Sequence, residues 1–154
     1  MKNSGAFAAL KIMHRALVAG LLLFFSVMLF LAYSKSITPA LPQLDRTLQV
    51  VAVLIGAAAF FAGTNLFKKK LLQLRDDTAT DPKQKFEQYR IACIIHWALI
   101  EGPALFCGIC FFLTGNYAFI ALGGMLMIAL AMLAPVKLKT ALQLGISVED
   151  IDQL

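Results

Sequence analysis

Four apolar runs, each long enough to cross a bilayer, limit what this chain can fold into more than any other feature of it. They are ALVAGLLLFFSVMLFLAY (16–33), LQVVAVLIGAAAFFAGTNLF (48–67), IACIIHWALIEGPALFCGICFFLT (91–114) and YAFIALGGMLMIALAMLAPV (117–136). At a rise of 1.5 Å per residue, about 20 helical residues cover a hydrocarbon core of ~30 Å. In lipid every backbone N–H and C=O must be satisfied within the structure, which leaves helices or closed barrels. Barrel strands would be short segments of alternating polarity, and the chain has none. Only 15% of the 154 residues are charged and 60% are hydrophobic, against about a quarter charged in a soluble domain. The expected fold is an all-α membrane protein, a single domain over 1–154 with four transmembrane helices at about 12–33, 48–67, 91–114 and 117–136. The first run exceeds the usual length of a signal-peptide core and is not followed by a small-residue cleavage motif, so it reads as a retained helix.

The distribution of charge sets the expected orientation. Lys2, Lys11 and Arg15 precede the first run, seven Lys and Arg fall in the loop 68–90, and Lys137 and Lys139 follow the fourth. The connection 34–47 carries only Lys35 and Arg46, and the linker Gly115-Asn116 carries none. Twelve basic residues on one side against two on the other predict that both termini, the loop 68–90 and the tail 137–154 are cytoplasmic, in an inner membrane. The net charge of +5 thus reports topology, and nucleic acid is not an expected partner. The bilayer is one, with Lys68, Lys69 and Lys70 placed to hold anionic lipid headgroups. Tyr33, Trp97 and Tyr117 are expected at the interfaces as aromatic anchors.

The spans also read as a tandem repeat. IMHRALVAGLLLFFSVMLFL (12–31) and IIHWALIEGPALFCGICFFL (94–113) share nine of twenty positions, His14/His96 and Gly20/Gly102 among them. Each unit is a pair of helices, so the two units would enter the membrane the same way, as two parallel helical hairpins related by a pseudo-two-fold along the membrane normal. The alignment sets Arg15 against Trp97 and Ala19 against Glu101, and both histidines read as interfacial. Punctuation is predicted at Asp81-Pro82, as N-cap and first residue of the third helix with Lys83 and Glu87 spaced for a pair. Gly145 is predicted to end a helix, and Ser147 with Asp150 to cap a last short turn.

One acid stands inside the apolar runs. Glu101 sits in ALIEGPALF (98–106), followed by Gly102 and by Pro103, which cannot donate to the Leu99 carbonyl and should disrupt the helix there. An ionisable residue inside a span is functional unless a structural partner explains it. Arg15, Thr64 and Asn65 lie at a matching depth and could make Glu101 polar glue between helices. A proton- or cation-binding role is the alternative. Cys93, Cys107 and Cys110 all fall in the third run and read as small apolar packing residues, despite the C-x-x-C spacing of the last two. Small residues at Ala52, Gly56, Ala59 and Gly63, and at Ala104 and Gly108, predict close helix approach, inside the bundle or against another copy.

ALIEGPALF resembles the ion-binding helix of the c subunit of rotary ATP synthases, and that likeness, over about nine residues, implies a proton carrier at Glu101. The chain differs from that family in lacking the alternating glycine series of the preceding helix and the Arg-Gln-Pro turn. Over most of its length it resembles a family of small four-span bacterial membrane proteins with an ALxEGPALF helix followed by LTGN, here Leu113-Thr114-Gly115-Asn116, a likeness that implies no activity. No Ser/His/Asp constellation, metal-ligand cluster or phosphate loop is present in the sequence, so neither catalysis, a metal nor a cofactor is expected. The expected role is a non-catalytic packing or assembly component, joined to itself as a homo-oligomer or to another membrane protein. The alternative is a small proton- or cation-coupled transport subunit using Glu101.

Overall fold

The computed structural model describes residues 5–35, 38–77 and 79–153. Lys2, Ser36 and Leu154 lie outside the described residues. The described chain is helical throughout: α1 (Gly5–Tyr33), a 3-10 turn (Pro42–Leu44), α2 (Asp45–Asp76), α3 (Pro82–Thr114), α4 (Ala118–Met132), α5 (Lys137–Leu144) and α6 (Val148–Gln153). No strand occurs among the described residues. Three helices, Gly5–Tyr33, Pro42–Asp76 and Pro82–Thr114, are long and apolar enough to cross a membrane, and α4 with α5 makes a fourth if the bent pair is one span. This is a helical bundle of the multi-pass membrane class.

The fourth run differs from the continuous helix expected over 117–136. α4 has 15 residues, about 22 Å of helix, and α5 leaves it at 75°. The cause is local. Pro135 supplies no N–H and pushes Ala134 out of the helical region, and the chain is extended at Val136 (φ −117°, ψ 128°) before α5 begins.

α3 is the axis of the bundle. Half of its most apolar window is buried inside the protein, against 11% for α1 and 17% for α2, and it packs on α1, α2, α4, α5 and α6. α1 packs on α3 and α4, while α2 packs on α3, α4 and α5, so each of the first two helices finds its main contacts in the second half of the chain. The small residues explain the close approaches. A Cβ on Gly56 would touch Leu126 at 3.6 Å, and one on Gly63 would press His96 at 3.1 Å. Gly108 and Gly123 lie directly under the rings of Phe24 and Phe25. Of the stripe on α2, Ala52, Gly56 and Gly63 are buried and Ala59 is half-buried, so it serves packing within the bundle.

The caps follow from ordinary backbone chemistry. Asp81 accepts from the Lys83 N–H at 3.2 Å with Pro82 in the first turn of α3. The expected Lys83–Glu87 pair is replaced by Glu87 with Arg90 at 3.0 Å, an i,i+3 neighbour on the same face. Ahead of it, Asp77 closes the turn between α2 and α3 by accepting from the Ala79 and Thr80 N–H groups and from the Thr80 hydroxyl. Those bonds, that of the Thr80 hydroxyl first, hold its carboxyl below the ordinary value of 3.8. Gly145 takes the left-handed conformation that ends α5 (φ 64°). Ser147 and Asp150 exchange reciprocal bonds at 2.9 and 3.0 Å as a capping box for α6.

The other end of the bundle is tied through Leu113-Thr114-Gly115-Asn116. Gly115 adopts φ 73° to end α3, its N–H reaching the Phe111 carbonyl at 2.7 Å, and a Cβ there would strike Pro39. The Asn116 side chain caps α4 by accepting from the Ala118 N–H and donates to both oxygens of Asp45 at 2.9 and 2.8 Å. That joins the α3–α4 link to the start of α2. The Leu41 N–H reaches the Leu113 carbonyl at 2.9 Å beside it.

Candidate functional site

Glu101 lies at the edge of the packed face of α3. It is half-buried, with exposed Ala98 and Gly102 beside it. The residues expected to meet it do not. Arg15 on α1 and Asn65 on α2 are exposed, and the Thr64 hydroxyl is within 3.5 Å of His96 Nε2 instead. Among the described residues Glu101 has neither a hydrogen bond nor an ion pair. Matching depth along the helices did not bring these residues together because α3 turns Ile100, Ala104 and Cys107 inward and leaves Glu101 at the edge of that buried face.

α3 is not broken at Gly102-Pro103. The helix continues to Thr114 with the Pro103 ring buried, since tight packing on the neighbouring helices holds the turn that lost one hydrogen bond. The break in the molecule falls at 133–136, and the polar residues gather there.

Both histidines, expected at the interface, are buried: His14 is 3% exposed and His96 4%. His14 Nε2 lies 2.9 Å from the Leu130 carbonyl in the last turn of α4, where carbonyls run out of helical donors. The edge-on partner of His14 is Trp97, ring centroids 4.8 Å apart. Trp97 is 1% exposed, so it is a core residue and not an interfacial anchor. Helical phase is the reason: Trp97 shares a face with Cys93, Ile100 and Ala104. Tyr33 and Tyr117 are exposed at 88% and 62%. His96 stacks on Phe67 with centroids 4.9 Å apart.

Below this layer Tyr89 Oη and Thr140 Oγ1 of α5 are 3.2 Å apart, both buried. Lys85, 5% exposed, sends Nζ toward the Leu144 carbonyl at 3.5 Å, a cation at the negative end of α5. Between these groups and the break is a cavity of about 30 Å³, bounded by Tyr89, Cys93, His96 and Trp97 on one side and Leu133 and Pro135 on the other. The cluster supplies a side-chain partner to the Leu130 carbonyl before the break and fixes α5 against α3. Neither Tyr89 nor Thr140 stood out in the sequence; the signal available was Pro135 at the tail of the fourth apolar run. The three cysteines are free and buried. Among the described residues no three His, Cys, Asp or Glu side chains are grouped to hold a metal ion.

Lys68 and Lys69 are exposed, and Lys70 Nζ donates to Gln88 Oε1 of α3 at 2.8 Å.

Bundle and site together define a helical bundle with apolar helices fit for a multi-pass membrane protein, a half-buried carboxylate within an apolar helix and a buried polar layer at a helix break. Comparison with protein-family models, with curated proteins and with solved structures finds no match to this chain.

Proposed function

We propose that this protein is a non-catalytic assembly component of an inner membrane, and that Glu101 is satisfied by another membrane helix. The observation that carries this reading is the carboxylate without a polar partner among the described residues. A charge in the hydrocarbon region costs about 2.5–3.5 kcal/mol on insertion scales when nothing meets it. Ala98 and Gly102 flank it on the exposed side of α3, and small residues let a second backbone come close. Exposed Arg15 is the counter-charge that a second copy would offer, and a polar side chain of another membrane protein would serve as well.

Crosslinking in native membranes tests this. Ala98→Cys should yield an adduct with a second copy or a defined partner, and Phe61→Cys, on an exposed stretch of α2, should not. Adding Glu101→Leu should reduce the adduct severalfold while leaving the melting of the purified monomer nearly unchanged, because the substituted side chain leaves no partner behind inside the chain. An Ala98→Cys protein that stays monomeric in membranes, with or without Glu101, would sink the reading.

The orientation we propose has both termini and residues 68–90 in the cytoplasm and four crossings in two tandem units. It is supported by the charge count and by the two histidines, each of which reaches the second helix of the other unit: His14 to α4 and His96 to α2.

A second reading, a proton- or cation-coupled transport subunit, draws support from the Leu99 carbonyl, which Pro103 leaves without its helical donor within a turn of Glu101. Hydrophobic carbodiimide should then modify Glu101, and the transported cation should protect it. Labelling indifferent to every added cation removes this reading and leaves the first untouched.

A further inference from the structure

A groove runs between α2 and α3 on the outer side of the bundle, apolar at one end and basic at the other. Its volume is about 390 Å³, within the ~300–1,000 Å³ of ordinary ligand clefts. Gly63 and Ala92 make room for it, and Leu66, Ile91 and Ile95 form its sides. All three of these larger residues are at least half exposed, so the groove opens toward lipid. Further along α2 the lining changes to Lys69, Lys70 and Gln73, with Gln88 opposite on α3. The change comes where the apolar run of α2 ends at Phe67. Seven residues separate Gly63 from Lys70, about 10 Å along the axis.

We propose that this groove is a binding site for one anionic phospholipid, an acyl chain lying against Leu66, Ile91 and Ile95 and the phosphate held by Lys69 and Lys70. Charge complementarity selects the headgroup. Lys69 is exposed with its ammonium uncommitted among the described residues, and Lys70 keeps two of its three N–H donors after bonding Gln88. The bond to Gln88 anchors the Lys70 ammonium across the groove mouth, so one cation is already positioned before the ligand arrives. The polarity profile selects an amphiphile over a free anion, because a soluble phosphate would leave the apolar half unused. Lys68 does not line the groove, so membrane attraction by the whole lysine run and binding by the groove are separable.

Native mass spectrometry of the full chain in mild detergent, titrated with phosphatidylglycerol and with phosphatidylcholine of the same tails, provides the test. The protein should retain one phosphatidylglycerol with a preference over phosphatidylcholine. Lys69→Gln and Lys70→Gln should each lower that preference about fivefold, the worth of one lysine near a charged surface. Lys68→Gln and Lys83→Gln, each the same loss of one charge elsewhere, should leave it unchanged. Ile91→Trp, which fills the apolar half, should abolish retention of both lipids, and excess glycerol 3-phosphate should displace nothing. An equal effect of either control, or undiminished retention by Ile91→Trp, would overturn the proposal. Loss of lipid to glycerol 3-phosphate would show an anion site without a lipid groove and would overturn it as well. Each variant changes a half-exposed or exposed side chain, and monodisperse elution with an unchanged helical spectrum checks its fold.

Discussion

At the scale of single residues, two glycines allow a sharp comparison. Gly108 and Gly123 each lie beneath a phenylalanine ring so closely that an added methyl would overlap it. The rings differ in their freedom. Phe25, above Gly123, is 6% exposed, and a Cβ there would also press Cys107 at 3.2 Å. Phe24, above Gly108, is half-buried and can swing toward lipid. Gly123→Ala should therefore destabilise the bundle by roughly 1–3 kcal/mol, the range of overpacked cores, and Gly108→Ala by less. Reversible unfolding in mixed detergent micelles would measure both, and equal costs would contradict the distinction. Trp97 teaches a related lesson. Tryptophan near the end of an apolar run reads as an anchor, yet its phase on α3 puts it against His14. The sequence alone could not supply that contact, since it depends on which neighbour covers that face.

At the scale of elements, the caps and turns were legible because they are local. Asp81-Pro82, Gly145 and the Ser147/Asp150 box each act within four residues, and all three do in the structure what their chemistry dictates. The turn between α2 and α3 adds a pH-dependent feature. The carboxyl of Asp77 is held below 3.8 by the Thr80 hydroxyl first and the Ala79 N–H next. A group whose folded pKa is depressed stabilises above its unfolded value, and that contribution is lost as pH falls through the folded value. The turn should accordingly keep its order down to about pH 4 and loosen only below it. The Thr80 amide resonance, followed by NMR, should titrate with a midpoint under 3.8, and Asp77→Asn should abolish the transition. A midpoint above 3.8 would contradict the assignment. The break at 133–136 was less legible. Pro135 falls at the tail of a run whose composition is apolar to its end, so periodicity alone extends the helix through it. Most of the polar residues that receive the break come from α1 and α3, remote in sequence.

At the scale of the whole molecule, the proposed orientation makes a direct prediction. Reporter fusions after Gln153 and within the loop 77–81 should read cytoplasmic, and one near Pro42 should read external. An external reading after Gln153 would mean that α4 and α5 together do not complete a crossing. The membrane class and the first three spans were legible from hydropathy, because lipid imposes its demand on every span separately. The site was not, because burial within a bundle is decided by the neighbours of a helix and not by its own composition. Packing also bears on synthesis. A ribosome delivers α1 and α2 first, and those two helices have their main contacts on α3 and α4. While the second half is still being made, His14 has neither Trp97 nor the Leu130 carbonyl to meet, and the small face of α2 lies open to lipid. The third helix is thus the moment at which the nascent chain becomes a protein: everything made before it waits in the bilayer, and everything made after it has a surface ready to receive it.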